Sequence, residues 1–284
     1  GRGGERRPIG ARMGERAATR ELTAGGAAWP DLMAELNAWA ATGETATMWW
    51  RDDDASTPHA GLDRLLSVTA DRQVPVALAA IPALASEALV PLVSAHPSVS
   101  VLVHGYAHAN HALVGAKKCE LGGERPADDV AAELARGRVR LRALFGARAL
   151  PVLVPPWNRI SADVVALLAA AGFAALSTFR ARPSPWAAPG VRLVNTHLDP
   201  VDWRGGRGFI GRGPALAALV DHLRARRTGA ADRDEPTGII THHRQTDEAG
   251  WAFFGEMLAR LGGHGAVRWL TGAAVFALPE PGAA

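Results

Sequence analysis

From residue 28 onward, short runs of β-type residues alternate with stretches of helical periodicity, and this alternation restricts the chain to an α/β architecture with a parallel sheet. Leu32, Leu36 and Trp39 share one face of a first helix that Gly43 ends. Thr47 to Arg51 reads as a buried strand, residues 57 to 69 as a helix, and Val74 to Ile81 as the next strand. A helix over 84 to 94 leads to a third strand at Val99 to Val103. After a polar loop at 104 to 125, a long helix runs from Pro126 to Gly146, followed by a strand at Leu150 to Val154. Ser161 caps the next helix and Gly172 stops it. Shorter strands are expected at Phe173 to Leu176, Val191 to Asn195, Gly238 to Thr241 and Ala266 to Leu270. Helices around Leu216 to Leu223 and Trp251 to Leu261 separate the later ones. The length suits a distorted (β/α) barrel. An open doubly wound sheet is the alternative, and the absence of a Gly-rich phosphate loop after any strand counts against nucleotide binding.

Charge is unevenly spread. Residues 1 to 20 carry six Arg against two Glu, so the overall +3 leaves about −1 for residues 21 to 284. We therefore expect a disordered Gly/Arg-rich leader over 1–27, a single catalytic domain over 28–279 and a short tail at 280–284. With the basic balance in the leader, nucleic acid is not an expected partner. Val74 to Val93, the most apolar stretch, contains three prolines and Glu87 and reads as strand, turn and buried helix, so no membrane partner is expected. One cysteine, Cys119, excludes a disulfide framework and a cysteine-rich zinc site. Nothing near the start resembles a secretory apolar segment, which points to the cytoplasm. Oligomeric state is not encoded in any motif.

Reactive side chains collect after strands. Asp52, Asp53 and Asp54 follow the first, His104, His108 and His111 the third, and Pro155, Pro156, Trp157 and Asn158 the fourth. His197, Asp199, Asp202 and Trp203 follow a later one, and His242 and His243 follow Thr241. In a parallel barrel these points meet at the C-terminal face, where active sites are built. Two imidazoles four residues apart and a distant carboxylate form a three-ligand set with an open position for water and substrate. Three adjacent acids also require a cation or cationic partner. Zinc is the first choice for such a set, with nickel, cobalt or manganese as alternatives. Trp49 and Trp50, inside a strand, read as core. Glu120, Glu124, Asp128 and Asp129 read as loop solvation and helix N-terminal charge.

These segments resemble the polysaccharide deacetylase (NodB-type) superfamily, carbohydrate esterase family four, as a divergent branch. The likeness spans residues 48 to 243, with five short motifs in the family's order. The Asp53-Asp54-Ala55 segment is similar to the family's acid pair, which implies Asp53 as general base and Asp54 as metal ligand beside His104 and His108. Pro156-Trp157 resembles the segment whose backbone N–H holds the oxyanion, with Asn158 next to it. Asp202-Trp203 resembles the acid–Trp motif, and Ile239 to His242 the strand before the general acid, His242. Arg51, Asp52, His111, Asp199, Asp202 and His243 are expected to support these groups from behind.

The departures are specific. Ala55 stands where the family has Gly, and His243 follows His242 where an Asp is usual. Asp52 leaves Asp52-Asp53 open as the working pair. The third motif lacks the Arg that orients the catalytic acid, a place that Arg51 or Arg159 would fill. The resemblance implies a distorted barrel of about seven parallel strands and removal of N- or O-acetyl groups from a carbohydrate or small acetylated substrate. Two alternatives remain: hydrolysis of a small non-sugar amide or imide by the same residues, and an inactive carbohydrate-binding or scaffold barrel.

Overall fold

The computed structural model describes residues 26–280. The expected leader lies outside the described residues except at its end, where the Ala27 amide donates to the Gly213 carbonyl (3.1 Å). The tail beyond Glu280 also lies outside them.

Helix α1 (Trp29–Ala41) is followed by β1 (Ala46–Ala55), α2 (Ala60–Ala70), β2 (Val76–Ala80), α3 (Leu89–Ala95) and β3 (Val99–His104). The long α4 (Ala127–Phe145) leads into β4 (Ala149–Val154), a single 3-10 turn at Pro156–Asn158, α5 (Ala162–Leu167) and β5 (Ala175–Leu176). Next come β6 (Trp186–Ala188), β7 (Val191–Leu193), α6 (Arg212–Thr228), β8 (Thr237–Thr241), α7 (Glu248–Leu261), β9 (Val267–Trp269) and α8 (Gly272–Val275).

The strands run β6-β7-β5-β4-β3-β2-β1-β8, with β9 on the first residues of β1, and only the β6–β7 pairing is antiparallel. Chain beyond β7 closes the ring irregularly. Phe179 bridges Thr196, Leu198 bridges Ile239, and the His197 amide donates to the Gly238 carbonyl (2.7 Å). The result is a distorted barrel whose parallel staves are β1, β2, β3, β4, β5, β7 and β8, as expected from the sequence.

Several boundaries differ from the sequence expectation for identifiable reasons. β1 continues four residues past Arg51, because Asp52 pairs with Leu78 on one side and Thr241 on the other. α3 starts at Leu89, not 84, which puts Pro91 in the first turn, where no amide hydrogen is needed; an earlier start would place it inside the helix. α5 is shorter than expected and Ser161 makes no side-chain cap bond. β6 and α8 carry too few residues to show a period.

Side-chain alternation along β1 builds both layers. Met48 and Trp50 face the large cluster under the helices, while Trp49 belongs to the barrel interior with Ala77, Ala79, Leu102, Val152 and Val194. Both tryptophans are core, as expected (1% exposed). Room for the Trp49 indole comes from Gly238, where a Cβ would fall 2.4 Å from Nε1. α8 stops the barrel at the end where strands begin: a Cβ on Gly272 would meet Ser100 of β3 and Leu150 of β4. From it Phe276 meets Trp49 edge-on at 5.5 Å. Among the described residues, no helix is long and apolar enough to cross a membrane.

Because Phe276 is buried (2% exposed) against the Trp49 indole, Phe276→Ala leaves a cavity that the staves cannot collapse into. We expect a loss of about 3–5 kcal/mol in urea denaturation; a loss below 1 kcal/mol would show that α8 does not plug the barrel.

Candidate functional site

Strict alternation would send Asp53 into the barrel mouth and Asp54 to the opposite face. The pairing of β1 with β2 instead shifts register between Asp52 and Ala55, and Asp54 takes a left-handed backbone (φ 69°). Both carboxylates therefore line one cleft of about 450 Å³. Asp52 faces the other way. Its Oδ2 accepts from the Thr241 hydroxyl (2.6 Å) and its Oδ1 from His243 Nδ1 (2.5 Å), both buried. The pair in the cleft is Asp53-Asp54.

His104 is the last residue of β3, and its Nδ1 donates to the Val154 carbonyl (2.9 Å), turning Nε2 toward Asp54 Oδ1 at 3.1 Å. His108 brings Nε2 to 3.3 Å from the same oxygen. Glu120 holds the connecting turn by accepting from the Ala107 and Tyr106 amides (2.7 and 3.3 Å). Gly105 is required there, since φ is 55° and a Cβ would lie 2.0 Å from Glu120 Oε2. Glu120 is thus a buried staple (1% exposed), not the solvated charge expected from the sequence, whereas Asp128 and Asp129 do occupy the first turn of α4.

The three ligand atoms of Asp54, His104 and His108 lie within 4.8 Å of one another and open onto the cleft. A divalent cation fits this set. The Nδ1–H of His104 is committed to a carbonyl, leaving the Nε2 lone pair for an ion. Burial raises the Asp54 carboxyl, but the His104 hydrogen bond and the charges of His104, His242 and His108 more than reverse this. Burial alone would lower His104, and the neighbouring Asp53 and Asp54 raise it.

Asp53 is gripped by Arg51, whose Nε and Nη2 donate to its two oxygens (2.8 and 3.1 Å). Arg51 is fully buried, and its remaining donors reach Asn158 Oδ1 (3.0 Å), Ser177 Oγ (2.8 Å) and the Thr178 carbonyl (3.2 Å). Arg51, and not Arg159, is therefore the arginine that reaches Asp53. Arg159 donates instead to the Lys118 carbonyl (2.8 Å).

The wall after β4 is the Pro156–Asn158 turn, with Pro156 buried and Trp157 and Asn158 both left-handed (φ 56° and 54°). The Trp157 ring lies 4.4 Å from His108. Opposite, Trp203 meets His242 edge-on at 4.9 Å. Its Nε1 donates to Asp199 Oδ2 (2.8 Å), so the acid paired with this tryptophan is Asp199 and not Asp202. Asp202 spends Oδ1 on the Arg204 and Gly205 amides of its own turn and stays out of the cleft. Burial raises the Asp199 carboxyl, partly offset by His242 and the Trp203 hydrogen bond. His242 lines the cleft with its Nδ1 buried and unpartnered, close enough to Asp199 and Asp54 for its charge to act on both.

Two further expected supports lie elsewhere. His111 is exposed on the loop, its backbone amide tied to the Cys119 carbonyl (2.9 Å), because the turn after His108 carries it away from the mouth. His243 points behind the sheet to Asp52. Lys118, Arg207 and Gln245 line the cleft without having been anticipated; isolated cations in polar loops carry no periodic or spacing signal.

No family model matches the chain, and no curated protein matches it either. Solved structures do. A protein from Mycobacterium smegmatis assigned as a polysaccharide deacetylase aligns with a TM-score of 0.56 at 19% identity, covering 90% of this chain and 94% of that one. Puue allantoinase gives 0.57 at 12% identity over 83% and 90% of the two chains. A Streptococcus mutans CE4 esterase gives 0.52 at 12% identity over 85% and 91%. The fold is that of the polysaccharide deacetylase barrels, in a divergent chain.

A second group with ligand-type side chains, His197, His222 and Glu235, is buried outside the cleft. His197 was expected at the barrel mouth, but its ring turns toward α6 and stacks on His222 at 3.3 Å. Its Nδ1 accepts from the Gly238 amide (2.9 Å), which puts the proton on Nε2, 3.4 Å from Glu235 Oε2. Ligation through Nε2 would need that proton on Nδ1, facing another N–H, so this group suits a neutral imidazole beside a carboxylate better than a metal. Burial holds His197 down at about 4, against the pull of Glu235. Burial would raise Glu235, yet the His197 and His222 imidazoles beside it, 3.4 and 3.8 Å away, bring it to about 2.

The signs agree. Between pH 6.5 and 4 the unfolded chain holds a proton on His197 that the folded chain refuses, so stability falls on acidification. The share from Glu235 is lost between 4.5 and 2. We expect the urea midpoint to fall from pH 7 to 4, with His197 contributing about 2–3 kcal/mol, and His197→Asn to flatten that slope. An equal slope in the variant would remove His197 from this role.

Proposed function

We propose that this protein is a metal-dependent hydrolase of the polysaccharide deacetylase type, removing an acetyl group from nitrogen, or from oxygen, on a carbohydrate or related small substrate. The observation that carries this reading is the convergence in one cleft of a three-ligand set, an arginine-held carboxylate and an unpartnered imidazole. The likeness to the M. smegmatis deacetylase and the S. mutans esterase supports the same class.

Asp54, His104 and His108 would hold the cation. When bound, a divalent ion supplies Lewis acidity that polarises the acyl carbonyl and lowers the pKa of water. Asp53, held in place by two hydrogen bonds from Arg51, takes the proton from the attacking water. The Trp157 N–H donates to the oxyanion. It sits in the first turn of the 3-10 segment, where amides have no internal partner, and Pro156 before it has no N–H to offer. His242 donates a proton to the departing nitrogen, its free Nδ1 leaving that ring uncommitted to another group. Trp157 and Trp203 flank the substrate body.

A second reading uses the same residues on a small non-sugar amide or imide, and the likeness to Puue allantoinase favours keeping it. An inactive scaffold is disfavoured because binding alone requires neither Asp53 nor His242. Turnover of N-acetylated sugars against small cyclic amides separates the first two.

Asp53→Asn should keep one equivalent of metal while turnover drops about 10²-fold or more; full activity would exclude Asp53 as base. His104→Ala and His108→Ala should each lose metal by elemental analysis, and stoichiometric zinc in both would sink the ligand assignment.

A further inference from the structure

Below its mouth, the cleft is acidic, with Asp53, Asp54 and Asp199 at the floor. Arg51 beside Asp53, together with a divalent ion on Asp54, would balance the charge of these three carboxylates. The upper walls are different. Lys118 from the loop after β3, Arg159 from the turn after β4 and Arg207 from the loop before α6 all line the cleft. Among the described residues, no carboxylate lies within ion-pair distance of any of the three.

This grouping is not the general charge of the fold, since residues 21 to 284 sum to about −1. Nor are all three freely waving. Lys118 Nζ sits over the Trp157 ring at 5.8 Å, and Arg159 Nη1 is anchored on the Lys118 carbonyl (2.8 Å). Arg159 thereby keeps further guanidinium donors for a ligand. Three unpaired cations around a mouth leading to a charge-balanced floor favour a substrate that is anionic away from its reacting bond.

We infer that the cleft selects an acylated small molecule carrying a carboxylate or phosphate, which Lys118, Arg159 and Arg207 hold while the acyl group lies over Asp53 and His242. This rests on the hydrolase reading of the floor. A volume of about 450 Å³ fits a small molecule of this kind.

The test uses the full metal-loaded chain and matched pairs: N-acetylglucosamine with its 6-phosphate, and an N-acetyl amino acid with its neutral carboxamide. At low salt, the anionic member of at least one pair should be favoured by about tenfold or more in kcat/KM, the preference shrinking at high salt. The pair that shows it distinguishes phosphate from carboxylate. In Lys118→Ala/Arg207→Ala the anionic-to-neutral ratio should collapse toward one, which a general loss of fold would not produce, because it lowers both arms. Turnover with equal efficiency for charged and neutral members overturns the inference and leaves the hydrolase reading standing. Absence of turnover for all four counts against that reading instead, and calorimetric titration with the same compounds then decides. Tighter binding of the anions that depends on Lys118 and Arg207 upholds the inference, and equal binding overturns it.

Discussion

The mouth of this barrel depends on one buried ion pair. Arg51 has no solvent contact, and every direction in which its guanidinium donates is occupied: Asp53, Asn158, Ser177 and Thr178. Two charges removed from water are costly unless geometry and hydrogen bonding compensate, and here the pairing is bidentate and the remaining donors are used. Because those acceptors belong to β1, the turn after β4 and the end of β5, the same interaction fixes three walls relative to one another. Asp53 is thereby held facing the cleft.

Around that pair, three consecutive aspartates meet three different fates. Alternation sends Asp52 behind the sheet, where Thr241 and His243 satisfy it and lock the chain that carries His242. Asp53 turns inward to Arg51. Asp54 would follow Asp52 but for the left-handed residue at its own position, which returns it to the cleft beside His104 and His108. Two acids side by side in one cleft are possible because each has its own cationic or imidazole partner. The strain of φ 69° at a non-glycine residue is confined to the point where the site needs it.

Much of this was legible in the sequence. Strands with strong apolar runs, such as Val76–Ala80 and Val99–His104, and helices with a clear stripe, such as Glu248–Leu261, follow from periodicity alone. The spacing of His104 and His108 and their position after a strand pointed to one face. What periodicity cannot encode is which way a residue faces once a bulge breaks the pattern. That decided Asp52 against Asp54, and Arg51 against Arg159. Nor does it reveal a buried charge on an irregular loop. Glu120 looked like solvated polarity because its role lies in two backbone amides fourteen and thirteen residues away. His197 looked like a mouth residue because it follows a strand; Glu235 and His222, distant in sequence, draw it the other way.

The position of β1 carries a consequence in time. It is the first strand among the described residues, yet its partners are β2 next in line, β8 near residue 240 and β9 near residue 268, and the indole at its centre is sealed by Phe276. During vectorial synthesis, β1 leaves the ribosome with one neighbour available and waits for nearly the whole remaining chain before its second edge and its floor arrive. A strand with such apolar flanks and an open edge is a natural client for chaperones over that interval. Arg51 waits with it, since Ser177 and Thr178 lie more than a hundred residues downstream. The Asp53 carboxylate is therefore made early and becomes correctly held only late, so an immature chain has the residues of the cleft without their arrangement.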